Sequence, residues 1–170
     1  MIMVHPQSAR AAQESITITP LSPLRFGSFV VISTGARTIS HTGAVTNTSI
    51  FPVPGDASGP ATFELAYDRG NNAGVNGANA KPLTIQLELM LLPVQPVNSG
   101  GVSGSLDTFT TDLPGVPVLQ PGVPTQIAIE NCVTRVCRQA FRVGGRIAVS
   151  RVSGGATLAF SLPLTATLLP

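Results

Sequence analysis

At 170 residues and 17.5 kDa the chain is long enough for one domain that buries roughly two thirds of its extended surface. Its 17 glycines and 15 prolines leave little room for long helices. Charged residues are 11% of the chain, against about 25% in ordinary soluble domains. A net charge of +2, with seven Phe, one Tyr and no Trp, all but excludes a nucleic-acid binder, which needs cations to displace counterions and aromatic faces to stack bases.

The chain opens with Met1 to Gln13, where Ala9-Arg10-Ala11 has the small-x-small pattern of a signal-peptidase site. His5, Pro6, Gln7 and Ser8 interrupt the apolar stretch that a secretory signal needs. The segment therefore reads either as the remnant of a signal peptide or as a tail in which the match is accidental. No run of about 18 apolar residues follows, so no transmembrane segment is expected. Residues 14–170 read as a single domain.

Period-two alternation, the mark of a sheet with one wet face, recurs along this domain. Ile16 and Ile18 alternate with Ser15, Thr17 and Thr19. Phe26 to Ile32 and Ala36 to Thr42 flank Ser33-Thr-Gly35 and predict a hairpin turned at the glycine. Strands are also predicted over Ala61–Asp68, Leu83–Leu91, Thr125–Glu130 and Arg146–Arg151, with Leu83–Leu91 central. From Thr157 to Leu168 the even positions are Leu158, Phe160, Leu162, Leu164, Ala166 and Leu168, opposite a face of small and polar residues. Pro163 interrupts the ladder and predicts an edge or a bulge there.

Residues 52–60, 70–80, 97–105 and 113–124 read as connections. The loop at 70–80 has glycines but lacks the Lys-Ser/Thr ending and the following helix of a phosphate cradle. Asn131 to Arg138 reads as a hairpin tip or a single helical turn leading into a strand through Val143. Cys132 and Cys137 are the only cysteines, and a bridge between them would close a small loop worth about 2 kcal/mol. Two reduced thiols are the competing reading; a metal site would need a second ligand pair that the sequence lacks.

Leu24-Arg-Phe-Gly-Ser-Phe29, Phe141-Arg-Val-Gly-Gly-Arg-Ile-Ala-Val149 and the closing strand resemble, in that order, a secreted β-sandwich family of Gram-negative bacteria whose function is undefined. That family is similar to spore-coat-U-type and fimbrial subunits, and its genes often neighbour those for periplasmic chaperones and outer-membrane ushers. The likeness runs from Ile16 to the C-terminus. Two departures are Ser153-Gly-Gly-Ala-Thr157, where many relatives carry Gly-x-Tyr, and the Cys-x4-Cys pair. The resemblance implies an antiparallel β-sandwich, immunoglobulin-like or pilin-like, at the cell surface, secreted or in the periplasm, with a chaperone and an usher as partners. Independently of any family, Gly27 would let Phe26 and Phe29 both reach the core, and Gly144-Gly145 would bend or bulge a strand, unless both are ordinary hairpin glycines.

Chemistry is sparse. His41 is the one histidine outside the leader, the acids are scattered, and neither a catalytic triad nor a cofactor site is expected. Arg135, Arg138, Arg142, Arg146 and Arg151 form a run without an intervening acid, which reads as a solvated sheet face or as a contact for an anionic surface. The expected function is a non-enzymatic subunit of a bacterial surface fibre that self-associates by strand complementation or sheet-edge contacts. The alternative is a monomeric secreted or surface module that binds an anionic glycan through the arginines. Glu14 to Leu21, with Ile16, Ile18 and Leu21 as knobs, is either a donor strand for the next subunit or the domain's own first strand.

Overall fold

A computed structural model describes residues 13–55, 57–70 and 82–170. Of the segments discussed above, the leader up to residue 12 and most of the loop at 70–80 lie outside the described residues. Among the described residues there is no α-helix, in keeping with the glycine and proline content. The described residues form an antiparallel β-sandwich of eleven strands: β1 Ser15–Ser22, β2 Phe29–Ile39, β3 Val45–Pro52, β4 Ala61–Asp68, β5 Leu83–Leu91, β6 Val97–Ser99, β7 Val102–Leu113, β8 Val116–Leu119, β9 Thr125–Cys132, β10 Val136–Arg151 and β11 Leu164–Leu168.

The larger sheet is organised around β10. Its first half, Val136 to Val143, pairs with β4, and its second half, Gly145 to Ser150, pairs with β2. Strand β7 pairs with β10 from Val143 to Arg151. Since Val143 pairs with both β4 and β7, and Ile147 with both β2 and β7, β4 and β2 must lie end to end on one side of β10 with β7 on the other. The changeover falls at Gly144. A Cβ there would lie 2.5 Å from the Ser40 carbonyl carbon and 2.6 Å from the His41 nitrogen, so β2 can approach this closely only because the residue is glycine. Strands β1 and β3 are the outer neighbours of β4 and β2, and β6 and β8 flank β7.

The smaller sheet has the order β11-β5-β9, which makes Leu83–Leu91 central, as its unbroken alternation predicts. Its outer strands lie against β1 and β10, so it covers β1, β4 and the first half of β10. Leu87, Leu89, Leu91, Ile127 and Ile129 from this sheet meet Phe63, Leu65, Phe141 and Val143 from the other. The rings of Phe63 and Phe141, paired in register, stack with centroids 5.6 Å apart.

Three sequence expectations are corrected. Ser33-Thr-Gly35 is not a turn: β2 runs straight through it, with a bulge against β3 between Val31 and Ala36. Gly35 serves close packing instead, because a Cβ would fall 2.7 Å from Ile50 Cγ1; the hairpin turn lies at Ser40–Ala44, where Gly43 has φ 89°. Residues 97–105 and 113–124, read as connections, contain β6, the start of β7, and β8. The closing strand is shorter than its alternation predicts, since only Leu164–Leu168 joins a ladder.

Candidate functional site

The inner face of β2, the second half of β10 and β7 extends beyond the smaller sheet. Val31, Val102, Leu106, Ile147 and Val149 form this face. Two irregular segments stand over it instead of a sheet. One is Leu24–Phe29, whose Leu24, Phe26 and Phe29 are half-buried against the core, with Gly27 at φ 67° turning the chain between the two rings. The other is Gly155–Pro163, which leads from the end of β10 to β11.

Gly155–Pro163 keeps the alternation read from the sequence without the ladder. Leu158, Phe160 and Leu162 pack on the core while Thr157, Ala159 and Ser161 are exposed. A Cβ on Gly104 would lie 2.6 Å from Leu158 Cδ1 and 3.0 Å from Phe160 Cζ, so Gly104 is the pit into which these knobs fit. From Gly155 to Leu162 the backbone makes no hydrogen bond to the backbone of another described residue. The Pro163 carbonyl accepts from the Leu92 amide, on the β5 side. Extended backbone alternates its polar edges, so the amides and carbonyls of Leu158, Phe160 and Leu162 point the other way. Between this segment and Ile18–Phe29 runs an open groove of about 1220 Å³ with a largely apolar floor.

Strand β1 pairs with β4 from Ser15↔Asp68 to Ser22↔Thr62, so Glu14–Leu21 is the domain's own edge strand in this structure. Ile16 and Ile18 are half-buried and Leu21 is exposed. Glu14 sits by the phenol of Tyr67, whose pKa is raised by burial and then by that carboxylate.

Arg138, Arg142 and Arg146 share the outer face of β10, and acids meet three members of the run. Arg135 Nε donates to Asp68 Oδ1 at 3.1 Å, Arg138 pairs with Glu64, and Arg146 Nη1 donates to Asp107 Oδ2 at 2.7 Å. Their acids come from β4 and β7, the neighbours of β10. Arg151 donates to the carbonyls of Gly154 and Val31, where it ties the start of the irregular segment to β2. Arg142 engages Asp112 through its backbone amide alone. The Asp68 carboxyl is held below its ordinary range by the Gly70 amide first and Arg135 second.

Cys132 and Cys137 are joined by a disulfide, with Cα atoms 5.7 Å apart, across the β9–β10 tip. Asn131 takes φ 55° there, and the segment is neither the hairpin tip nor the helical turn read from the sequence: β9 pairs with β5 in the smaller sheet and β10 lies in the larger, so the tip is a tight crossing between the two sheets. The Arg69 guanidinium donates to the Cys132 carbonyl beneath it. His41, in the Ser40–Ala44 turn, donates its backbone amide to Thr110 Oγ1, and its buried Nδ1 has no partner among the described residues. Arg37, which sequence reasoning passed over, is buried on the side of Ile147, with Nε and Nη1 likewise unpartnered among the described residues. No group of three metal-ligating side chains occurs among the described residues.

Sequence reasoning found both covering segments and the β2 and β10 parts of the floor but missed the part on β7. Val102 and Leu106 lie on β7, whose Ser, Gly and Thr content hides a strand; its alternation also changes phase at Thr108, which has φ 53°.

The arrangement defines an all-β sandwich protein with one apolar face incompletely roofed. The chain belongs to the DUF4402 family, described as a domain of unknown function, whose model matches residues 16–160. Comparison with curated proteins and with solved structures finds no match.

Proposed function

We propose that the protein is a non-enzymatic structural subunit of a bacterial surface fibre, assembled by strand complementation between copies. The observation that supports this reading is the roof of the inner face of β2, β10 and β7. One of its two segments, Gly155–Leu162, has no backbone ladder and lies beside an open apolar groove. An unpaired polar edge above an apolar floor is a template for an added strand, with main-chain bonds for affinity and alternate pockets for side chains. A second copy supplies such a strand, and a heterologous contact of this kind propagates into a filament. The disulfide suits an oxidising compartment, the cell surface or periplasm, where a chaperone would keep the groove covered before an usher-coupled assembly step.

The glycan reading lacks comparable support, because three of the five arginines already hold carboxylates. Light scattering and negative-stain electron microscopy of the purified chain test the proposal. Filaments, or oligomers that survive mild denaturant, are expected; a monomer at every concentration overturns it.

A further inference from the structure

We infer that the strand exchanged between copies is the C-terminal arm from Gly155 to Leu168, which leaves its own sandwich and roofs the inner face of a neighbour. This rests on the fibre reading and names the strand it requires. Three observations point to the arm. It carries the longest run of alternate apolar knobs outside the central strands, Leu158, Phe160, Leu162 and Leu164, whereas β1 offers Ile16 and Ile18. Its first part is held by side-chain packing alone, whereas β1 is laddered to β4 along its length. It ends in β11, a five-residue edge strand bonded only to β5.

Exchange conserves contacts. The knobs seat in the Gly104 pit of the neighbour, and Leu164–Leu168 pairs with the neighbour's β5 in the same register, so what changes is the path of the hinge. The hinge is Val152–Gly155. Val152 is 94% exposed, and Gly154 has φ 63° in a tight turn against Gly100. The nine steps from Gly155 to Leu164 reach about 30 Å when extended, enough to cross to an adjoining molecule.

Thr165 and Met90 are register partners on β11 and β5, so cysteines at both positions report whose arm lies on whose sheet. The native cysteines are already joined to each other and do not interfere. In the double variant M90C/T165C, oxidised under assembly conditions, a ladder of covalent dimers and higher species is expected on a non-reducing denaturing gel. Gly154→Ala in that background forces a side chain into the left-handed region and toward the Gly100 carbonyl, 2.7 Å away, so it strains the closed hinge. The covalent oligomer fraction is expected to rise several-fold; a fraction unchanged or lower overturns the exchange. Filaments whose bridges are all within one chain overturn the exchange and leave fibre assembly standing. Intrachain bridges with no assembly at all overturn both.

Discussion

An alanine at Gly144 would push its Cβ into the backbone of Ile39, Ser40 and His41, at the point where β10 changes partners from β4 to β2. Backbone cannot yield as a flexible side chain can, so Gly144→Ala is expected to cost about 3 kcal/mol, read as a lowered urea midpoint. Asp68 makes a prediction in pH. Its carboxyl is depressed by the Gly70 amide and by Arg135, so the stability it contributes is complete above the unfolded carboxylate range. That stability is lost as acid passes from there through the folded value. Asp68→Asn is therefore expected to reduce stability at neutral pH and to flatten the acid limb of the stability curve below about pH 4, measured by urea unfolding across pH. Arg138→Ala, by contrast, breaks a pair whose arginine side chain is 61% exposed, and its expected cost is under about 1 kcal/mol.

The two aromatic rings that face the same core differ by element, and the difference can be measured. Phe141 is fully buried on a strand laddered to β4, so Phe141→Ala is expected to cost about 3–5 kcal/mol. Phe160 is half-buried on the unladdered segment, and Phe160→Ala is expected to cost about 1 kcal/mol of monomer stability while removing a central knob of the arm. The Cys132–Cys137 bridge closes a short loop at one crossing between the sheets, so reducing it is expected to lower stability by about 2 kcal/mol without unfolding the domain. These elements were unequally legible in the sequence. Strands buried on one face, such as Ala61–Asp68 and Leu83–Leu91, announce themselves by alternation because water dictates every second residue. Strand β3 has a single buried residue, Ile50, and so carries no such imprint. Gly35 illustrates a further limit: the same residue permits a turn or a close approach, and only Ile50, distant in sequence, decides between them. The arm was legible as a pattern, but nothing local reveals that β5 ends before it can pair with Gly155–Leu162. Likewise the acids that meet the arginine run lie some seventy positions upstream, or on the unrecognised β7, so in sequence the charges look unopposed.

At the scale of the molecule, the sandwich is two unequal halves threaded by one strand. The half beneath the smaller sheet has a closed core, whereas the other depends on Leu24–Phe29 and the arm for its roof. Replacing Leu158, Phe160 and Leu162 by Ser, which leaves β11 in the smaller sheet, is expected to leave the first half folded and to expose the inner face of the second. The readout is a rise in apolar-dye fluorescence with little change in β-sheet circular dichroism; loss of the β signal would show that the two halves fold as one unit.

The sixteen-residue β10, bonded to β4 and then β2 along one side and to β7 on the other, also has a mechanical consequence. A pull that enters through β10 and leaves through β4, β2 or β7 runs parallel to the strands and perpendicular to the bonds that join them. The bonds are therefore loaded in shear, all together, rather than opened one after another from an end. The disulfide fastens the crossing between sheets that leads into this strand, so the part of the chain best placed to bear tension is also the part least able to peel.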